Sequence, residues 1–280
     1  MRNRGISIKN KKILYIVSII LVSTLSISLL VSAFPGRASS GKDNTDGKHP
    51  TEEISPVEGL YISFLGDSIT TYKGYSDNAN YNATLSNNAV FYPHSYSPNG
   101  VELGVTSVRD TYWYKTIQEL SLKLCVNNSC DASRVSDTKP EKPNGMERST
   151  ELNTILASPD IIVVYMGIND LCNGVDLTTF SSSYATMISN IKTAYPSADV
   201  YVCTLLPEKR NTDLNTYRSF NTAIEAIAEE YSCFVVDFYN DTGITADNHG
   251  VYRVDGIHPT AEGMDILAEC LINAIRENSK

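Results

Sequence analysis

The stretch Leu60-Tyr61-Ile62-Ser63-Phe64-Leu65-Gly66-Asp67-Ser68-Ile69 is the most informative part of this 280-residue chain. It opens with a short apolar run that has β-branched and aromatic members and closes on a glycine, as buried parallel strands do. In open α/β sheets, the loops that contact ligands follow the carboxyl ends of the strands. We therefore expect the hydroxyl of Ser68 to stand at the carboxyl edge of a parallel sheet.

Strand and helix patterns alternate through the rest of the chain, which we assign to one domain at residues 57–280. Runs similar to the first predict strands at Ile161–Met166, Val200–Leu206 and Cys233–Phe238. Apolar residues at spacings of three and four predict helices at Thr111–Leu124, Thr178–Tyr195, Leu214–Tyr231 and Thr260–Asn278. Strands separated by helices imply right-handed crossovers, so we expect an α/β fold with helices on both faces of a parallel sheet.

Residues 1–33 have the composition of an export signal. They hold five basic residues and no acidic one, and an apolar run, Ile13–Phe34, follows the basic cluster. This order is typical of a secretory signal peptide, and Val31-Ser32-Ala33 is an acceptable cleavage site. The run is also long enough to cross a hydrocarbon core of roughly 30 Å, so an uncleaved signal anchor in the membrane is the alternative. Either way we expect the catalytic part to be secreted or extracytoplasmic.

Residues 34–56 are polar and lack an apolar period, so they are predicted to be a linker. Without residues 1–33 the chain keeps 18 basic and 32 acidic residues, and its net charge changes from -9 to -14. Nucleic-acid affinity depends on Lys and Arg that neutralise phosphates. We therefore expect no nucleic-acid partner.

The segment Thr71–Ser107 interrupts the alternation, because it has no apolar period and is rich in Asn, Gly and Tyr. Its tyrosines include Tyr72, Tyr75, Tyr81, Tyr92 and Tyr96. A loop of this length in a compact domain is usually functional or disordered. Two interpretations stay open: aromatic rings that stack on sugars or line an acyl pocket, and a tyrosine-rich surface loop packed on itself.

Ser68, His258 and Asp255 have the residue types of a nucleophile, a general base and the carboxylate that orients it. A serine hydroxyl is unreactive without an adjacent base. In Asp255-Gly256-Ile257-His258-Pro259, the carboxylate stands three residues before the histidine, so one ring nitrogen can bind Asp255 while the other faces Ser68. Each motif alone is also compatible with an ordinary turn or cap; the conjunction of the motifs favours a hydrolytic site.

Asn169 is the third candidate residue. It follows the predicted strand Ile161–Met166 in the sequence Gly167-Ile168-Asn169-Asp170. Its side-chain amide can donate a hydrogen bond to a developing oxyanion.

With these motifs, the chain resembles members of the SGNH (GDSL-type) hydrolase superfamily over roughly Val57 to Ile275. The resemblance implies a three-layer α/β/α sandwich on a flavodoxin-like parallel sheet of about five strands. It also implies that Ser68 is the nucleophile, that Asp255 and His258 complete the triad, and that Asn169 contributes to the oxyanion hole with the backbone N–H of Ser68.

Members of this superfamily share several short sequence blocks, and this chain departs from the pattern in the second of them. The family has a glycine whose N–H joins the oxyanion hole, and Ala132 stands at that position, with Gly100 or Gly104 as alternatives. An alanine keeps the N–H group. It costs roughly 1 kcal/mol if the loop requires a positive φ.

The implied activity is that of an exported serine esterase that hydrolyses small acyl esters, acetyl above all, on carbohydrate through an acyl-enzyme. The alternatives are an O-acyltransferase on cell-surface glycans with the same triad, and a catalytically silent glycan-binding domain. The expected partner is a small-molecule or polysaccharide ester. No metal or other cofactor is expected, since no His/Cys cluster has zinc spacing.

Six cysteines in an exported chain raise the question of disulfides. Cys203 and Cys233 lie in apolar strand patterns and Cys270 in a helix, which favours buried thiols. One pair, Cys130 with Cys172, is a candidate disulfide because the two residues flank the two oxyanion loops.

Overall fold

The computed structural model of the chain describes residues 56–75, 90–96, 102–139, 141–207, 213–253 and 255–279. The predicted signal segment, 1–33, and almost all of the predicted linker, 34–56, lie outside these residues. Both therefore stay predictions.

A parallel sheet forms the centre of the domain. The strands of the described residues are β1 (Tyr61–Gly66), β2 (His94–Tyr96), β3 (Glu102–Val105), β4 (Lys123–Ser129), β5 (Ile161–Tyr165), β6 (Asp199–Cys203) and β7 (Phe234–Val236). Five of them pair in parallel in the order β4-β1-β5-β6-β7. Counted along this sheet alone, the order is 2-1-3-4-5, which is that of flavodoxin. The predicted fold class and strand order are confirmed.

Helices cover both faces of the sheet and complete a three-layer sandwich. In the described residues they are α1 (Tyr112–Glu119), α2 (Gly145–Arg148), α3 (Ile168–Cys172), α4 (Leu177–Ala194), α5 (Leu214–Glu230), α6 (Phe238–Asp241), α7 (His249–Tyr252) and α8 (Ala261–Asn278). Helix α1 packs on α8, and α4 packs on α5. Three of the predicted helices agree with α4, α5 and α8 to within one residue at each end. None of the described helices has the length and hydropathy needed to span a bilayer.

The predicted helix Thr111–Leu124 is wrong in its second half. Helix α1 ends at Glu119, and the chain then enters strand β4, which the sequence did not predict. The reversal occurs at Ser121, whose φ of 53° is incompatible with a continuing right-handed helix. Strand β4 lies at the edge of the sheet and ends in polar residues, so it lacks the apolar run that marks a buried strand.

Strands β6 and β7 are shorter than predicted. Strand β6 ends at Cys203, and β7 ends at Val236. Directly after β7, Asp237 accepts a hydrogen bond from the N–H of Asn240 and caps α6. The chain therefore leaves the sheet as soon as it reaches the carboxyl edge.

The tyrosine-rich segment contains a small antiparallel pair, β2 with β3, that the sequence did not predict. Two of its tyrosines are buried: the Tyr72 hydroxyl donates to the carbonyl of Thr106 at 2.9 Å, and the Tyr92 hydroxyl donates to that of Pro259 at 2.8 Å. Packing on the domain therefore explains these two rings. Tyr75 is 42% exposed, whereas Tyr81 and the side chain of Tyr96 lie outside the described part of the chain.

Candidate active site

Ser68 lies at the carboxyl edge of the sheet, where the sequence placed it. Strand β1 ends at Gly66, and Ser68 opens a 3-10 turn, Ser68–Thr70, capped by Asp67. A Cβ on Gly66 would lie 2.5 Å from the side chain of Thr70. The strand must therefore end on glycine for the chain to turn this sharply and present Ser68.

Ser68, His258 and Asp255 form one hydrogen-bonded chain. The Oγ of Ser68 is 2.9 Å from Nε2 of His258, and Nδ1 of His258 is 2.7 Å from Oδ2 of Asp255. The second carboxylate oxygen of Asp255 accepts from the backbone N–H groups of Ile257, at 3.0 Å, and His258, at 2.8 Å. The structure thus brings together three residues that the sequence separates by up to 190 positions.

Asp255 is held as a carboxylate. Burial by itself would raise its pKa, but the hydrogen bond and charge of His258, together with the two backbone N–H groups, lower the pKa to about 2. A permanently ionised Asp255 fixes the proton of the imidazole on Nδ1 and leaves Nε2 free to accept the proton of Ser68.

Asp67, the neighbour of Ser68, has the opposite electrostatic character. It is buried, and burial is the main reason why its pKa is raised to about 7, although the N–H of Ile69 donates to its Oδ1 at 3.1 Å and lowers the pKa in part. The negative charge of Asp131 adds to the increase. Two carboxyl groups in this site therefore ionise in different pH ranges.

The loop that follows β4 lies against both Gly66 and Asn169. The N–H of Cys130 donates to the carbonyl of Gly66 at 3.2 Å. The side-chain Nδ2 of Asn169 donates to the carbonyl of Ser133 at 3.0 Å. An amide nitrogen carries two hydrogens, so this bond orients Asn169 and leaves its second N–H for an oxyanion.

Asp170 joins the loop after β4 to the loop after β5 through hydrogen bonds. Its carboxylate accepts from the N–H of Val135 at 2.8 Å and from both the N–H and the hydroxyl of Ser136, at 3.0 and 2.6 Å. Burial raises the pKa of Asp170, and these three donors oppose the increase. The Asp in the Gly-Ile-Asn-Asp motif is thus a structural tie between the loops.

Ala132 has a φ of 55°, which lies in the left-handed region. The loop therefore requires the positive φ that the family's glycine would provide without strain. Of the two alternatives, Gly104 lies in β3 with Ala261 nearby, and Gly100 is outside the described residues. The hydrogen bonds from Cys130 and to Ser133 favour Ala132 as the second-block residue.

Arg148, at the end of α2, is fully buried below the site, and no sequence motif predicted this role. Its guanidinium donates to the carbonyls of Asn128 and Gly66, the latter at 3.1 Å. It also donates to the Ser133 hydroxyl at 2.8 Å and lies 3.4 Å from Sδ of Met166. One side chain therefore binds the ends of β1 and β4 and the Ala132 loop.

Phe91 is a second residue that the sequence did not single out. Its ring stacks on the imidazole of His258, with centroids 3.5 Å apart and planes inclined by 7°. The N–H of Phe91 donates to Oγ1 of Thr71 at 2.9 Å, and this hydroxyl donates to the carbonyl of Ser68 at 2.7 Å. The nucleophile turn and the ring that covers the imidazole are thus connected.

The candidate disulfide between Cys130 and Cys172 is absent, since the six cysteines, all of them among the described residues, are thiols. Cys130 is buried, and burial raises the pKa of its thiol. Its Sγ lies 3.8 Å from the carbonyl of Asp131. The hydrogen bonds of Asp170 already join the two loops that the disulfide was expected to connect. In the described residues, no group of three or more His, Cys, Asp or Glu side chains is placed to hold a metal ion.

The structure thus brings Ser68, the His258–Asp255 pair and the loops of Ala132 and Asn169 together at the carboxyl edge of a parallel α/β sheet. The sequence profile of the GDSL-like Lipase/Acylhydrolase family matches residues 64–266. The chain belongs to this family. No curated protein matches it significantly.

Solved structures share the fold. A protein described as a GDSL-like lipase from Bacteroides ovatus is 24% identical, with a TM-score of 0.58, and the match covers 79% of this chain and 100% of that one. A second protein of that description, from Bacteroides uniformis, is 24% identical with a TM-score of 0.56, over 78% and 96% of the two chains. A family two carbohydrate esterase from Clostridium thermocellum is 21% identical with a TM-score of 0.54. The match covers 79% of this chain and 65% of that one.

We expect Ala132→Gly to stabilise the protein by up to ~1 kcal/mol, because it removes the strain of a left-handed alanine. Ala226→Gly is the matched control, since this exposed residue lies inside α5 and the same substitution there should cost ~1 kcal/mol. Urea unfolding of both variants measures the difference. Destabilisation by Ala132→Gly would contradict the assignment of strain.

Asp67→Asn should become more stable relative to the parent as pH rises. Below pH 7 the folded parent keeps a proton on Asp67 that the unfolded chain loses near its ordinary pKa of 3.8. The unfolding free energy of the parent therefore falls as pH rises from about 4 to 7. The unfolding free energy of the variant does not fall in this way, because asparagine does not ionise. We expect the difference in unfolding free energy to grow by ~2–3 kcal/mol between pH 5 and pH 8.

Urea titrations at both pH values test this expectation. Asp176→Asn is the control. The pKa of this exposed helix cap is lowered in the folded protein, so Asp176 is ionised in both the folded and the unfolded chain between pH 5 and pH 8. A stability difference for Asp67→Asn that is as flat with pH as that of the control would show that Asp67 ionises normally.

Phe91→Leu should slow hydrolysis of 4-nitrophenyl acetate by about 3- to 10-fold in kcat with little change in KM, because an aromatic pair contributes ~0.5–1.5 kcal/mol beyond its buried area. Phe91→Tyr keeps the stacked ring and should retain most of the parent kcat. Equal losses in the leucine and tyrosine variants would show that the stacking on His258 has no role in turnover.

Proposed function

We propose that the chain is an exported serine esterase that removes small acyl groups, acetyl above all, from carbohydrate through an acyl-enzyme. The observation that carries this proposal is the continuous hydrogen-bonded chain from Ser68 through His258 to Asp255. Membership of the GDSL-like Lipase/Acylhydrolase family supports hydrolysis of an ester.

In the first half of the reaction, Ser68 attacks the ester carbonyl while Nε2 of His258 takes its proton. Asp255 stabilises the imidazolium that forms, because its low pKa keeps it negative. The negative charge that develops on the carbonyl oxygen accepts hydrogen bonds from the Asn169 amide and from the backbone N–H groups of Ser68 and Ala132.

In the second half, His258 gives the proton to the departing alcohol, and the acyl group stays on Ser68. Water then enters, loses a proton to His258 and attacks the acyl carbonyl. The tetrahedral intermediate collapses, and the proton returns to Oγ of Ser68. All proton transfers pass through one imidazole, which is stacked on Phe91 and bound to Asp255.

The substrate class is inferred from this chain's own features. The predicted export signal and the acidic composition suit a substrate outside the cell, and no apolar lid typical of a lipase is legible in the sequence. The partly exposed ring of Phe91, which stacks on His258, suits contact with a sugar ring. The likeness to the Clostridium thermocellum esterase carries the fold alone at 21% identity.

Ser68→Ala should reduce 4-nitrophenyl acetate turnover by at least ~10⁴-fold, because it removes the nucleophile and leaves only oxyanion stabilisation and binding. Parent protein treated with a fluorophosphonate should gain one covalent adduct, which peptide mass spectrometry locates at Ser68. Ser182→Ala, an exposed serine on α4, should leave both the turnover and the adduct unchanged.

Equal rates in the parent and Ser68→Ala would refute the acyl-enzyme mechanism. Acetylated xylan and acetylated chito-oligosaccharides then test the substrate class by acetate release. A sugar acceptor that suppresses acetate release and becomes acetylated itself would identify an acyltransferase instead.

A further inference from the structure

The turn Asn153–Ala157 exposes two large apolar side chains completely. Ile155 and Leu156 have relative accessibilities of 103% and 95%, whereas the next most exposed large apolar side chain of the described residues, Val251, has 57%. Full exposure of adjacent aliphatic side chains is unfavourable in water, and it marks a contact surface when the backbone is fixed.

The backbone of this turn is fixed. The N–H of Thr154 donates to the carbonyl of Ala157 at 2.9 Å, and the Thr154 hydroxyl accepts from the N–H groups of Leu156 and Ala157, at 3.2 and 3.0 Å. The Tyr195 hydroxyl donates to Oδ1 of Asn153 at 3.0 Å. Ile155 and Leu156 are therefore presented outward by a hydrogen-bonded scaffold.

The turn lies at the amino edge of the sheet, opposite the candidate active site. Asp160, three residues after the turn, accepts from the N–H of Tyr61 at 2.8 Å and donates its own N–H to the Tyr61 carbonyl at 2.8 Å. Tyr61 opens β1, whereas Ser68 follows the other end of that strand. Six strand residues separate the two edges by about 20 Å.

The chain also enters the domain at this amino edge, because β1 is the first strand of the described residues and residues 56–60 lead into it. The 22 residues of 35–56 connect it to the apolar run Ile13–Phe34, the candidate membrane anchor. From composition alone, a segment of that length is expected to span about 25 Å on average. An anchor in the membrane would thus hold the amino edge close to the bilayer.

We propose that Ile155 and Leu156 form a membrane-contact turn that inserts into the bilayer interface on which the chain is anchored. Apolar side chains at such interfaces penetrate roughly 5–10 Å and need no headgroup charge. The exposed Asp160 and Asp199 at the same edge add negative charge, so insertion is apolar and does not depend on anionic lipid.

A second copy of the chain is a poorer occupant of this turn. Two aliphatic side chains expose on the order of 300 Å², far below the ~800 Å² that each partner buries in a stable protein interface. With the turn at the bilayer, the carboxyl edge points away from the membrane. In this orientation the candidate active site suits a polymer in the aqueous phase better than a lipid ester. This substrate preference rests on the proposed esterase activity, whereas the membrane contact does not.

The test uses the intact chain in phosphatidylcholine vesicles, with and without bromine on the acyl chains. The native Trp113 is fully buried and supplies a constant background. In Leu156→Trp, brominated lipid should abolish the emission contributed by the new tryptophan. Leu177→Trp is the matched control, since Leu177 is 40% exposed at the start of α4 near the carboxyl edge, and its emission should be unaffected.

Emission from Leu156→Trp that is as insensitive to bromine as that of the control overturns the proposal. An emission that depends on protein concentration instead of bromine would identify self-association and overturns it as well. Quenching that requires added phosphatidylglycerol would overturn apolar insertion. Hydrolysis of 4-nitrophenyl acetate by the protein in the same vesicles should be unchanged in both variants. A parent protein without this activity would contradict the proposed esterase function but would not affect the bromine result.

Discussion

The buried guanidinium of Arg148 is the interaction on which the rest of the site depends. It binds the carbonyl ends of β1 and β4 and the hydroxyl of Ser133, and Ser133 in turn accepts from Asn169. A buried charge is costly unless its donors are satisfied, and carbonyl oxygens at strand ends satisfy them here. Removal of the guanidinium would take a donor from the buried carbonyls of Asn128 and Gly66 and free the loop that carries Ala132. The nucleophile turn and the oxyanion loops are therefore parts of one structure.

The two carboxyl groups beside Ser68, those of Asp67 and Asp255, have pKa values shifted in opposite directions. Asp255 accepts three hydrogen bonds and stays negative, which suits a partner for an imidazolium. Asp67 is buried next to Ser68 and keeps its proton up to about neutral pH, with one backbone donor. Below that pH, the Ser68 hydroxyl has no negative charge on its neighbour in the chain. Burial raises the pKa of both carboxyl groups, and the His258 imidazole and two backbone donors reverse the shift for Asp255.

Local patterns made much of this structure predictable, and long-range contacts account for what was missed. Strands β1 and β5 and helices α4, α5 and α8 carry their own apolar periods, so the sequence predicted them. Strand β4 did not carry one, because an edge strand with polar residues at its end obtains its order from pairing with β1. Ser68, Asn169 and the Asp255–His258 pair stand in short motifs that could be read directly. Arg148 and Phe91 could not, since their partners are remote in sequence and no spacing announces a stacked ring or a buried guanidinium.

Asp255 and His258 share a single turn, so the base and its carboxylate move together. The hydrogen-bonded chain of these three residues consequently needs one long-range contact, from that turn to Ser68, 190 residues away. Folds that take the acid from a separate strand must make two such contacts. Here the segments between β1 and the Asp255–His258 turn contribute no residue to this hydrogen-bonded chain, and their part of the site is the pair of loops that carry Ala132 and Asn169. The imidazole thus takes its orientation from its own turn, and only its distance to Ser68 depends on the rest of the fold.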